Sequence, residues 1–171
     1  MIRLLGIGAA LFVGRETFTA LVRRRRERRV GYADAVARAR ESGAPLLVVG
    51  DPDSGFITKH LGRDYGCGDV CTDIVGCSGC PVHIKAPLET ALTHLPRASH
   101  VIYVALTLEY VTDLPRVIDE LERVAIPGGL YVVRVDPTHL STWYLYPGAK
   151  WVLYDAPFGD YGGWNYTPFR R

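Results

Sequence analysis

The chain has 171 residues, 48% hydrophobic and 22% charged, the make-up of an ordinary globular domain long enough to bury a core. Its net charge of +2 excludes a global electrostatic case for nucleic-acid binding. The basic residues are uneven, however: seven of the 20 Lys and Arg lie between Arg15 and Arg29, and the remainder of the chain is acidic in balance.

Leu4 to Val13 is an unbroken apolar run, interrupted by Gly14-Arg15-Glu16 before Phe18 to Val22. A membrane span wants about 20 apolar residues. A span from Leu4 to Val22 would hold Arg15 and Glu16 well inside, at a cost of ~2.5 kcal/mol or more for such a charge. The arginines after Val22 nevertheless suit a signal-anchor with a cytoplasmic carboxyl side, or a helix lying on anionic lipid. Residues 1–31 are therefore expected to form an apolar and basic arm. Residues 1–29 of it would meet a membrane, on the cytoplasmic side, or a protein assembly; the plain alternative is packing on its own domain. No aromatic residues interleave the arginines to support nucleic-acid contact. The basic residues follow the apolar run and no small-residue cleavage site intervenes, so there is no signal-peptide pattern.

Residues 32–171 read as one α/β domain. Tyr32 to Ser42 is Ala-rich and helical in period, and Gly43-Ala-Pro45 stops it. Leu46 to Val49 is a buried strand that ends in a Gly, Pro and Asp turn. A short helix over Gly55–Leu61 follows, with Ser54 as its N-cap. Strands are expected over Asp69–Ile74 and Val82–Lys85, a helical turn over Leu88–Leu92, and a central apolar strand over Val101–Leu106. Asp113 to Ala125 carries the stripe Leu114, Val117, Ile118, Leu121, Val124, with Asp119, Glu120, Glu122 and Arg123 opposite. Pro127-Gly-Gly129 breaks that helix before a strand over Leu130–Val135. A sixth strand is expected over Trp151–Tyr154 and a coil from Phe158. Alternation of strand and helix without repeats predicts a doubly wound, mostly parallel sheet.

The run Val101-Ile-Tyr-Val-Ala-Leu-Thr-Leu-Glu-Tyr110, then Glu120-Leu-Glu-Arg-Val124, then Pro127-Gly-Gly-Leu-Tyr-Val132 resembles the class I S-adenosylmethionine-dependent methyltransferases. The resemblance covers Leu46 to Asp136. It implies a Rossmann-like fold and S-adenosylmethionine as cofactor, held by Gly50, Asp51, Ser54 and Gly55 in the first loop, with Leu106 after the fourth strand. Asp73, ending the second strand, matches the acid that binds the ribose hydroxyls. Glu89 is the one acid placed to stand beside the adenine. The family's Gly-x-Gly-x-Gly turn is altered here to Gly50-Asp-Pro-Asp-Ser-Gly55, which reads equally as a plain Asp-Pro turn with an N-cap.

Cys67-x3-Cys71-x5-Cys77-x2-Cys80 concentrates every cysteine in one stretch. These are expected to be reduced thiols. Four of them with His83 suffice for a tetrahedral zinc, but the regular ribbon spacing is absent, so zinc is not favoured and no metal ligand is assigned. His94, His100 and His139 are isolated, and spacing assigns no catalytic residue. The aromatic residues from Trp143 to Tyr166 suit a lid or a docking surface, or packing over the sheet edge.

Two functional classes follow. One is a methyltransferase acting on an unidentified acceptor, its activity weakened by the altered glycine loop. The other is a non-catalytic scaffold of the same fold, held to a membrane or assembly by residues 1–29.

Overall fold

The structure is a computed structural model that describes residues 2–53, 56–137 and 148–169. In the described chain, α1 (Ile2–Ser42) leads to β1 (Leu46–Val49), α2 (Phe56–Leu61), β2 (Val70–Asp73) and β3 (His83–Lys85). Then come α3 (Leu88–Ala91), β4 (His100–Ala105), α4 (Leu114–Val124) and β5 (Ala125–Val133), and a hairpin of β6 (Trp151–Asp155) and β7 (Asn165–Pro168) closes it.

Five strands form one sheet in the order β3-β2-β1-β4-β5, and every pairing in it is parallel. The fold is α/β, consistent with a Rossmann-like arrangement whose strand order reverses between β1 and β4. Successive residues of β1 serve opposite layers, as the two-residue period of a strand requires. Leu47 and Val49 join Ile102, Val104 and Val132 against α3 and α4, whereas Leu46 and Val48 join Val101, Tyr103 and Val133 against α1. All six residues of β4 are buried, which is why it reads as a continuous apolar run. Each such Val or Ile contributes roughly 1.5–3 kcal/mol on burial.

The first helix is longer than its sequence suggests. No break occurs at residue 31; one helix runs to Ser42. Its inward stripe is Ala20, Arg24, Gly31 and Ala35, all buried, so the contact is made by small residues and an arginine rather than by a run of large apolar ones. Gly31 is the point of closest approach. A Cβ there would stand 3.0 Å from Val133 Cγ2 and 3.1 Å from Phe158 Cε2. The arginine run is turned largely onto the domain: Arg25 Nε lies 2.7 Å from Asp64 Oδ1, Arg28 also pairs with Asp64, and Arg23 pairs with Asp136. No described helix is long and apolar enough to cross a membrane.

α4 forms as its stripe predicts. Asp113 is its N-cap, accepting from Arg116 N at 3.2 Å, and all five stripe residues from Leu114 to Val124 are buried. Its end differs from expectation. The helix turns directly into β5 at Ala125, and Pro127-Gly-Gly129 lies in a bulge where the pairing jumps from His100–Ala125 to Ile102–Leu130. Two further expectations are corrected. β6 does not join the parallel sheet but pairs antiparallel with β7, and the aromatic tail is therefore not simply coil. The hairpin packs on the α4 face through Trp151, whose indole N–H donates to Val111 O at 3.0 Å, and Trp164, which donates to Glu122 at 2.8 Å. His139, Trp143, Tyr144 and Tyr146 lie outside the described residues.

β2 and β3 are parallel neighbours joined by only residues 74–82, shorter than the dozen or more that a helical crossover needs. The cysteines occupy this region, and they are not the reduced thiols expected: Cys67 is bonded to Cys80 and Cys71 to Cys77. Their closeness in sequence misled, because the two bridges staple a local excursion of the chain rather than link distant elements.

Candidate functional site

A cleft of about 950 Å³ opens at the carboxyl ends of β1, β2 and β4, where the strand order reverses. This is the position at which open parallel sheets bind ligands, because the loops there diverge to opposite faces. Its floor is Gly50 and Leu106, Asp73 stands at the end of β2, and Glu89 lies in the wall. Four of the seven residues expected at a cofactor site thus meet in one cavity. Ser54 and Gly55 lie outside the described residues.

Asp51 is the seventh, and its carboxylate serves the loop itself: Oδ1 accepts from Asp53 N at 2.9 Å. Asp53 in turn forms an ion pair with Arg63. Neither acid lines the cleft. Gly50 has φ +101, a conformation that side chains disfavour, and a Cβ there would meet Thr107 Oγ1 at 2.9 Å. Glycine is therefore required at the first position of this altered loop by both backbone and space.

Asp73 is held in place by two backbone donors, with Oδ2 accepting from Asp51 N at 3.2 Å and Oδ1 from Val75 N at 2.8 Å. A carboxylate oxygen accepts more than one hydrogen bond, so lone pairs remain for a hydroxyl in the cleft. Beside it Ile74 and Val75 are 68% and 73% exposed, large apolar surface at the mouth of a cavity they also line. Leu106, at the end of β4, has φ +52. A bulky residue in the left-handed region marks local strain of the kind that gathers at binding sites.

Glu89 is committed to the fold as well as to the wall. Its Oε1 accepts from Thr112 N at 2.7 Å. Desolvation pushes its carboxyl up, but backbone hydrogen bonds from its own N–H, Thr112 and Asp113, with the charge of Lys150, outweigh it and leave the group below its ordinary value. Glu109 lies behind the cleft, buried, with Oε1 accepting from Val135 N at 2.7 Å. Burial pushes its carboxyl up, opposed by the Val135 hydrogen bond and by the charges of Arg134 and Arg24. It braces the end of β5.

Sequence reasoning missed the contribution of α1. Leu21 and Arg28 of that helix line the cleft, and Arg28 Nε donates to Asp64 Oδ2 at 2.9 Å, which fixes the guanidinium at the cavity wall. Tyr65 lines it too, its hydroxyl donating to Asp51 O at 3.3 Å; burial raises its phenol pKa, so it stays a neutral donor. No short-range signal in the sequence announces Arg28, because Asp64 lies 36 residues away.

The cavity therefore offers two acids, Asp73 and Glu89, two cations, Arg28 and Lys150, and apolar walls. Comparison of the chain with protein-family profiles, with curated proteins and with solved structures gives no match.

Proposed function

We propose that this cleft binds S-adenosylmethionine and that the chain is a methyltransferase-type protein. The observation that carries the reading is the meeting of Gly50, Asp73 and Leu106 at the switch point of the parallel sheet. The residues present fit the cofactor's chemistry. Asp73 would accept from the ribose hydroxyls, Ile74, Val75 and Leu106 would cover the flat adenine, and Arg28 would pair with the amino-acid carboxylate. When bound, the cofactor supplies an electrophilic methyl on a sulfonium centre. The chain's part is to orient it and exclude water, since aligning donor and acceptor contributes much of the rate in such a transfer. The self-satisfied carboxylates of Asp51 and Asp53 support the reading, because an altered loop that keeps its acids out of the cavity leaves room for the ligand.

The test is calorimetric titration of S-adenosylhomocysteine into the full chain. Micromolar binding is expected, weakened by about 10–100-fold in Asp73→Asn, the loss of a hydrogen bond to a charged group. No heat up to millimolar ligand, from a chain shown to be folded, overturns the proposal.

A second reading, a scaffold held at a membrane surface by α1, is favoured by Phe18 and Val22, which are 69% and 53% exposed on that helix. Co-sedimentation of the full chain with anionic vesicles, abolished in Phe18→Ser/Val22→Ser, is its expected result. Failure to sediment with them removes it.

A further inference from the structure

The four cysteines do more than staple a loop. Sγ atoms of Cys71, Cys77 and Cys80 all lie within 4.8 Å of one another, and Cys67 Sγ is bonded to that of Cys80, so the four cysteine sulfurs form one connected cluster. In a zinc tetrathiolate, with zinc–sulfur bonds of about 2.3 Å, neighbouring sulfurs stand about 3.8 Å apart. Three of the four sulfurs are thus already near the spacing of one tetrahedral site, and the fourth, Cys67 Sγ, is a bond length from one of them. Three chain segments supply it: the approach to β2 (Cys67), β2 itself (Cys71) and the short β2–β3 connection (Cys77 and Cys80). The last pair sits on a tight turn, Cys80 N donating to Cys77 O at 3.3 Å. Arg63 Nη1 lies 3.9 Å from Cys67 Sγ, a cation that favours thiolate over thiol. Cys71 and Cys77 are buried, which excludes water from half of the sphere.

We propose that Cys67, Cys71, Cys77 and Cys80, when reduced, hold one zinc ion as a tetrathiolate, and that the two disulfides are the oxidised, metal-free form of the same site. The interchange balances with a peroxide as oxidant. Four thiolates lose four electrons and form two S–S bonds, zinc leaves as the divalent ion, and two hydrogen peroxide molecules take up those electrons with four protons from the buffer acid to give four waters. The site adjoins the cleft: Cys71 precedes Asp73 by two residues on β2, and its Sγ lies 3.6 Å from Gly50 O. Metal or disulfide would then hold the same two strand ends together under different redox conditions.

The test uses the full chain, purified with a phosphine reductant, without chelator, and equilibrated with zinc. Elemental analysis is expected to give about one zinc per chain. Cobalt(II) in its place should show the visible ligand-field bands of a tetrahedral thiolate. Hydrogen peroxide should release the zinc, read with a colorimetric chelator, at two peroxides per metal. Cys67→Ser separates the alternatives. It leaves the Cys71–Cys77 bridge possible but removes a ligand, so the proposal expects weakened zinc retention and altered cobalt bands in a chain that circular dichroism shows to be folded. A reduced, folded wild-type chain that retains no zinc overturns it, and so does zinc binding indifferent to Cys67→Ser. These outcomes are independent of whether the cleft binds a nucleoside.

Discussion

Asp64 gathers the basic segment of α1 onto the domain: Arg28 Nε donates to its Oδ2 at 2.9 Å and Arg25 Nε lies 2.7 Å from its Oδ1, while the carboxylate itself is 2% exposed. A single buried acid thus faces several arginines of one helix, Arg29 among them at 3.8 Å. Asp64→Ala would leave those charges uncompensated and release the wall of the cleft at Arg28. Removing one partner of a fully buried pair costs about 3–5 kcal/mol; with Arg29 half exposed, a loss of about 2–3 kcal/mol is expected here. Urea denaturation of the full chain measures it. Arg29→Gln, on the exposed rim, should change stability by no more than about 0.5 kcal/mol. Equal effects of the two substitutions would show that Asp64 is not the anchor.

The contact at Gly31 makes a separate claim about how close α1 lies to the sheet. A valine there must push against Val133, Phe158 and Tyr103, all within 3.4 Å of the position its Cβ would take. Overpacking of this kind costs about 1–3 kcal/mol. Gly31→Val is therefore expected to lower the unfolding midpoint, although glycine is a poor helix former and an exposed site would gain about 1 kcal/mol from its replacement. An increase in stability would mean that the helix stands off the sheet.

These two residues also show where the sequence was legible and where it was not. β4 and α4 could be read directly, because a run buried on both faces and a stripe at helical spacing are local patterns. The inward face of α1 carries no such pattern: Gly31 and Ala35 are small because the sheet is close, and Arg24 and Arg28 look solvent-exposed until Asp64 and Glu109 are brought to them by the fold. The cleft was half legible. Gly50 and Asp73 mark strand ends, which sequence reveals, whereas Arg28 and the positive φ of Leu106 arise only from long-range placement. The disulfides were hidden for the opposite reason, since clustering in sequence is equally compatible with thiols, a metal or bridges.

His100 opens β4 and is buried, its Nδ1 2.7 Å from Ser99 Oγ. Desolvation holds its imidazole below its ordinary value of 6.5, with Asp69 opposing only in part. Below that ordinary value the unfolded chain takes up a proton that the folded chain still refuses, so protonation favours unfolding. Stability should therefore fall as pH drops from about 6.5 toward the lowered native value, and recover above it. Thermal unfolding between pH 7 and pH 5 is expected to show this loss, diminished in His100→Gln. An identical pH profile in the two proteins would remove His100 from the account.

Glu89 carries the opposite partner chemistry into a lower pH window. Its Oε1 accepts from Thr112 N at 2.7 Å in the turn ahead of α4, and its net pKa is lowered despite desolvation. A lowered carboxylate contributes stability that is present above its unfolded value of 4.5 and is lost as pH falls through the folded value. Glu89→Gln keeps an acceptor for Thr112 but removes the charge, so it should flatten the acid limb below about pH 4.5 by lowering neutral stability to the level the wild-type chain reaches once Glu89 is protonated. Glu89→Ala removes the acceptor as well, at about 0.5–1.5 kcal/mol at neutral pH, because Thr112 must find water instead. If the cleft holds a nucleoside, the two variants separate bracing from recognition. Loss of S-adenosylhomocysteine affinity in Glu89→Ala alone means that the wall has moved, whereas equal loss in Glu89→Gln means that the carboxylate itself meets the ligand.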